Sequence, residues 1–462
     1  MNEIDREHPD YKHKRLMWYM FRDLYAGGHQ FKSHAANYLL RRQKEPLDIY
    51  GERLDRVFYE NYIGSILDWY TSTLFRREPS LQMEGGLASG RSFLAEFAND
   101  ADLRGTTFSG FLRSSFIDAL IAGSSHILID FPTGGNEAQT RAEEDMAGVS
   151  RAFLVRYQAE ELINWSKNER GDYDWVVLRY TIRRSSAFDG SSDVEETYWR
   201  YYDRTEYRTY RKVVEQGRYS APIELVASGA HGLAKQRRVP LIDISLSDGL
   251  WLMNKAAHVQ LEHFNKSNAL SWAITMGLFA MPVIYSDREW NQIVGESYFI
   301  QLGPKDKFGW TEPDGKVYQI AAQNLEMLKE EIYRVCYLPQ ASGEMISGHA
   351  QSAASKLLDF TITQEILRAY GSLVKDCARS IAQAVVDARQ DGITVSVSGV
   401  DELNITDFST ELEQAAALLQ LEIQSPTLRK EIHQRLAIKY LDDARQEVKD
   451  RILHEIETQE AK

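Results

Sequence analysis

The chain has 462 residues, 43% of them hydrophobic and 26% charged, the composition of a folded protein with several domains rather than of a disordered one. A net charge of −13 argues against a nucleic-acid partner gripped through phosphate neutralisation, which needs clustered lysine and arginine. The two cysteines, Cys336 and Cys377, lack Cys-x-x-Cys or histidine spacing, which argues against a disulfide scaffold or zinc site and suits a reducing cytoplasm.

The N-terminus is polar and charged and does not read as a signal peptide, and no run of about 18 apolar residues predicts a membrane span. Apolar and aromatic residues at helical spacing predict helices over Tyr11–Tyr25 and Asp55–Phe75, the second ended by Pro79. A further helix begins at Ser109 and stops at Gly123. A buried strand follows over His126–Pro132, closed by the turn residues Thr133–Asn136, and 137–149 reads as a solvated acidic loop. From Arg151 to Val226 the period moves toward two. Strand runs at 153–157, 174–182 and 196–202, separated by turns at 167–171 and 189–193, predict one meander with aromatic cross-strand pairs. Pro240–Ser245 reads as a last strand.

A long, loosely patterned helix is expected over 248–276, packed on two sides. The pattern turns β-like from Leu278 to Gln319, and a short amphipathic helix runs from Asn324 to Cys336. After Leu338-Pro339 comes a loop of small and polar residues, then one uninterrupted helical pattern from about Ala353 to Gln390. Between Arg334 and Lys356 there is no lysine or arginine, and the single carboxylate is Glu344. The tail, 409–462, returns to helix, with Ser425-Pro426 as a start signal. The fold class expected is α+β, mainly helical, with several domains and one β-rich section.

No catalytic arrangement survives inspection of the candidates. His258 and His263 flank Glu262, but a five-residue spacing places them roughly 140° apart around a helix, so they do not chelate one ion and read as surface histidines. Gly123-Ser-Ser-His runs from helix to strand, the reverse of a nucleophile elbow. Gly348 to Lys356 precedes a helix but lacks Gly-Lys-Ser/Thr and follows a helix rather than a strand. Glu160 and Glu161 are adjacent and point to different sides. The aromatic wealth of 150–210, interleaved with arginines such as Arg179, Arg200 and Arg208, fits sheet packing or a subunit interface better than stacking on single-stranded nucleic acid.

The order of these parts resembles the portal (head–tail connector) proteins of tailed bacteriophages over nearly the whole chain. The residues that carry it are Glu52–Tyr62 through Phe75, Phe108–Pro132, Val239–Asp243 leading into a long helix, Tyr298–Pro304, and the helix–loop–helix unit at 324–390. The resemblance implies a wing over 1–246, a first stem helix over 247–277, a clip over 278–320 and a second stem helix over 321–338. It further implies a tunnel loop over 339–352, a long helix with returning wing strands over 353–408, and a short crown over 409–462. Such proteins form homododecameric rings at one capsid vertex of the virion, assembled in the host cytoplasm. Double-stranded DNA is packaged and ejected through the ring. The implied partners are therefore other copies of the chain, DNA, the terminase large subunit, neck or adaptor proteins, and major capsid and scaffolding proteins, with no membrane. The channel-facing residues would be Gln340, Ser342, Glu344, Met345, Ser347, His349 and Gln351. The docking residues of the clip would be Arg288, Trp290, Lys305, Lys307, Phe308 and Trp310. No catalytic residue, metal or cofactor is expected. A minor head or adaptor protein is the alternative, and a nuclease or hydrolase built from scattered Asp, Glu and His is the third reading.

Overall fold

A computed structural model describes residues 3–132, 151–185, 193–215, 222–277, 281–285, 307–311, 315–338, 353–400 and 425–440, with a few isolated positions besides. Helices and antiparallel sheets occupy separate stretches of the chain, an α+β fold. The chain forms two compact units, one of Met1–Arg22, Ser65–Asn254 and Gln351–Lys462, the other of Asp23–Gly64 and Lys255–Ala350. It passes between them inside three helices, Pro9–Ala26, Tyr62–Leu74 and Leu252–Gly277. No helix of the described residues is long and apolar enough to cross a membrane.

The larger unit is built around two sheets. In the first, Ser124–Asp130 lies between Phe153–Gln158 and Leu241–Ser245, antiparallel to both. The central strand is buried at every position from Ser125 to Ile129, which explains its continuous apolar run. The helix Phe108–Ala122 leads into it. Thr107 caps its start by accepting from the Gly110 N–H at 3.1 Å, and Gly123 ends it in the left-handed region at φ 83°. A side chain on Gly123 would meet the Trp251 ring at 3.0 Å, so that position requires glycine twice over. Two indoles satisfy carbonyls of the helix's last turn. Trp251 Nε1 donates to Ile121 O at 3.1 Å and Trp18 Nε1 donates to Ala122 O at 2.9 Å.

The second sheet is a five-stranded meander, Leu162–Lys167, Tyr173–Ser185, Asp193–Asp203, Glu206–Glu215 and Glu224–Ala230, each paired with the next. Its expected aromatic pairs are present: the Tyr180 and Tyr198 rings stack with centroids 5.3 Å apart. Val177, Ile163 and Trp199 pack with Tyr11 and Trp18 of the first helix, while Val176, Leu178 and Tyr202 pack with Leu128, Tyr157 and Leu241. Alternation along the first three strands thus covers both faces there, while Glu224–Ala230 is exposed at every position. Arg179 and Trp199 tie down the N-terminal residues, with Arg179 reaching Asp5 at 2.8 Å and Glu7 at 3.0 Å. The helix Ala353–Arg389 packs on the strand Ile393–Ser398, which pairs antiparallel with Ser80–Gly85.

Three expectations need correction. The strand at 153–158 does not belong to the meander but to the other sheet, because its register partner is the buried 124–130 strand. The helix expected over 55–75 starts only at Tyr62 and runs to Leu74, the second of two helices in this region, after the separate Leu47–Asp55. Asn61 starts the second by accepting from the Gly64 N–H at 2.9 Å and donating to Tyr25 O at 2.8 Å. The helix expected from Asn324 begins nine residues earlier, as Gly315–Val335, so the clip boundary at 320 falls inside it. The loop at 137–149, the strand at 403–406 and most of 409–462 lie outside the described residues. Within the last, Pro426–Tyr440 is the expected helix, capped by Ser425, whose Oγ accepts from Leu428 N–H at 3.3 Å.

His231 of the larger unit is buried, and burial pushes its imidazole below the ordinary value. Nδ1 accepts from the Leu233 N–H at 3.3 Å, which leaves Nε2 to donate to Asp203 O at 3.0 Å, so the neutral ring fills both bonds. A depressed folded pKa means this contribution is complete above about pH 6.5 and is lost as pH falls through the folded value. Thermal unfolding followed by circular dichroism should show the midpoint falling between about pH 6.5 and pH 5. His231→Asn, which can keep a donor and an acceptor, should flatten that slope.

Candidate functional site

The smaller unit is dominated by a long hairpin. Three hydrogen bonds join Leu252–Gly277 to Gly315–Val335 and the turn that follows it. Tyr318 Oη donates to Ala273 O at 3.3 Å, Lys266 Nζ donates to Asn324 Oδ1 at 2.9 Å, and Lys255 Nζ donates to Tyr337 Oη at 2.5 Å. As one partner moves back from 273 to 255, the other advances from 318 to 337, so the helices run antiparallel along their length. At the far end the strands Met281–Tyr285 and Lys307–Thr311 pair antiparallel, Met281 opposite Thr311 and Tyr285 opposite Lys307. The ladder continues the register of the helices. At 1.5 Å per residue the helical arms are about 39 Å and 32 Å long.

The first arm is held by side-chain amides. Gln260 accepts from the Ile63 N–H at 3.3 Å and donates to Glu60 O at 2.8 Å. Asn265 accepts from the Leu40 N–H at 2.8 Å and donates to Tyr38 O at 3.0 Å. Asn268 accepts from the Phe58 N–H at 3.1 Å and donates to Phe58 O at 2.9 Å. Each amide therefore satisfies a backbone donor and a backbone acceptor in 38–40 or 58–63, the stretches on either side of Leu47–Asp55. Around them, Phe31 stacks on Tyr59 with centroids 4.0 Å apart and meets Phe264 edge-on at 4.9 Å. These amides, not two-sided packing alone, explain why the helix looked loosely patterned.

The second arm carries two apolar stripes. Ile332 and Cys336 are buried, with Leu325 and Leu328 half-buried on the same side, and burial pushes the Cys336 thiol up to about 12. A separate stripe at 317, 320 and 327 faces away: Val317, Ile320 and Met327 are 64%, 65% and 65% exposed. Spacings of three and seven put these three on one line of the helix.

Of the expected clip residues, Lys305 and Lys307 are exposed, and Phe308 and Trp310 lie on the distal strand opposite Ile284 and Pro282. Arg288 and Trp290 lie outside the described residues, as do all seven loop positions, Gln340, Ser342, Glu344, Met345, Ser347, His349 and Gln351. His258 is exposed as expected, but His263 is not a surface histidine. It is buried edge-on against Tyr62, with Glu60 at 3.5 Å. Among the described residues no group of three or more His, Cys, Asp or Glu could hold a metal ion. In the larger unit, the Gly123-Ser-Ser-His run builds no nucleophile. His126 Nδ1 pairs across the sheet with Asp243 at 2.7 Å, Tyr173 Oη donates to the other Asp243 oxygen at 2.5 Å, and Ser125 points to the opposite face. Burial alone would raise the Asp243 carboxyl, yet His126, Tyr173 and Lys167 together hold it below its usual range. Glu160 pairs with Arg22 through both oxygens, whereas Glu161 accepts from the Gln158 N–H, so the two carboxylates do not act together.

No family model and no curated protein matches the sequence. Among solved structures, the chain is similar to one in the neck of an empty gene transfer agent (GTA) particle computed with C6 symmetry. The identity is 12%, the TM-score is 0.42, and the match covers 81% of this chain and 90% of that one. It is also similar to a chain of the virion of a native gene transfer agent particle, at 12% identity and a TM-score of 0.38, covering 86% of this chain and 97% of that one.

The amide clasps make a quantitative prediction. Gln260→Met keeps the volume but leaves the buried Ile63 N–H without its partner, a loss of about 2 kcal/mol. Lys266→Ala, which removes exposed contacts with Glu262 and Asn324, should change stability by less than about 1 kcal/mol. Denaturant unfolding of both variants checks the contrast.

Proposed function

We propose that this chain is the subunit of a portal ring at one vertex of a phage-type capsid. The ring is the conduit through which double-stranded DNA enters and leaves. It is also the platform on which the terminase large subunit and later the neck proteins dock, with capsid and scaffolding proteins around it and no catalysis of its own. The observation that carries this reading is the continuous hairpin, two antiparallel helices with a strand ladder at their far end. In this reading the helices are the paired stem, the ladder is the base of the clip, and the clip spans 278–314 because the second stem helix starts at Gly315. The wing is then 1–246, the tunnel loop 339–352, the long helix and returning strand 353–408, and the crown 409–462.

Two further features support it. An exposed apolar stripe on a helix whose other stripe is already covered is what a subunit presents to the next copy in a ring, where each member buries two different faces. The segment between Arg334 and Lys356 holds no lysine or arginine. A conduit must let DNA slide, and each phosphate–cation contact adds affinity that must be broken at every step.

Mass measurement and electron microscopy of the purified protein should show closed rings with a central hole. Ile320→Glu combined with Met327→Glu should leave the subunit folded, since both side chains are already exposed, and should shift the mass to that of single subunits. Rings that persist in this double variant, or a parent that is monomeric at every concentration, would overturn the assignment. A stack of rings without a packaging role would instead favour an adaptor.

The loop is tested separately. Ser342→Lys with Gln351→Lys should leave ring assembly intact and slow DNA passage in a packaging assay, more at low salt than at high salt. Packaging at the parental rate in low salt would exclude a channel-lining loop.

A further inference from the structure

The larger unit contains a cleft of about 920 Å³ where four distant stretches of chain meet: the turn at 167–173, Arg204, residues 237–243 and Ser380 of the long helix. Five cations line it, Lys167, Arg170, Arg204, Arg237 and Arg238, against three carboxylates, Glu169, Asp172 and Asp243. Two of the cations are engaged. Arg204 binds Asp174 at 2.7 Å, while Lys167 lies 3.7 Å from Asp243 and 4.3 Å from the Tyr173 ring centre. Arg170, Arg237 and Arg238 are exposed, and none pairs with a described carboxylate. Arg237 is also held at φ 50°, a left-handed conformation that glycine or asparagine would adopt at less strain. Val239, Leu241 and Ile242 lie buried beneath it and leave the exposed lining mainly polar.

We propose that this cleft is a docking site for an acidic peptide segment of a partner protein, one rich in glutamate or aspartate. Guanidinium forks match carboxylates through two parallel bonds. A volume of this size suits a few residues of extended chain. Charge decides against nucleic acid. A long polyanion would meet the field of a subunit carrying −13, whereas a short acidic segment samples only the cationic cleft within a Debye length of about 8 Å. The site stands apart from the ring reading, so either can fail alone.

The test is fluorescence anisotropy of the full chain with a labelled synthetic peptide alternating glutamate and serine. Saturable binding that weakens as salt is raised is expected. Arg237→Glu with Arg238→Glu should lower the affinity at least tenfold, whereas Arg183→Glu, an exposed arginine elsewhere on the meander, should leave it unchanged. Arg237→Gly, which keeps the left-handed backbone, should weaken binding without lowering the unfolding midpoint. It carries the test if the double variant fails to fold. Equal binding by parent and variants would overturn the proposal. So would a short DNA duplex that displaces the peptide at lower concentration than unlabelled peptide does, or inorganic phosphate that occupies the site equally well.

Discussion

Three carboxamides on one helix, Gln260, Asn265 and Asn268, hold the smaller unit together. The segment from 38 to 63 runs past the long helix with breaks at 40–46 and 56–61, so several of its backbone groups have no partner in a helix or sheet. A buried N–H left unpaired costs about 1–3 kcal/mol, which apolar packing would have to offset. Each amide removes a donor and an acceptor from that deficit at once. The aromatic stack of Phe31, Tyr59 and Phe264 can then close around a backbone that is already satisfied.

The larger unit meets the same constraint through charge and indole. Arg22 joins Asp118 at 2.8 Å and Glu160 at 2.6 Å, tying the first helix to the start of the meander. Such a buried set gives little net stability, but removing one member leaves an uncompensated charge, so it favours one arrangement over others. The two tryptophans at 18 and 251 do for the helix ending at Gly123 what the amides do for the 38–63 segment. They bring an N–H to a carbonyl that the helix cannot satisfy.

Charge is unevenly placed, and that unevenness bears on function. The chain is acidic overall, yet Arg170, Arg237 and Arg238 gather around one cleft while 335–355 carries no cation at all. The proposed conduit and the proposed acidic-peptide site place opposite demands on lysine and arginine. Both can be met in one chain because fields between exposed charges fade within a Debye length.

By itself the sequence determined the elements whose signals are local. Ser109 and Gly123 bounded a helix that runs Phe108–Ala122, alternation marked the meander strands, and an unbroken period of 3.6 marked the helix that spans Ala353–Arg389. It also showed the cation-free loop, which composition states without any fold. Only the tertiary structure decided which sheet the 153–158 strand joins, because apolar alternation says that a strand is half-buried but not by whom. The same holds for Gly315–Val335. Val317 falls in the stretch that reads as β-like until the antiparallel contacts with 252–277 show it on a helix. The amide clasps and the arginine cleft were invisible for one reason: each joins residues more than a hundred positions apart, or from four separate stretches, and no local pattern records such a meeting.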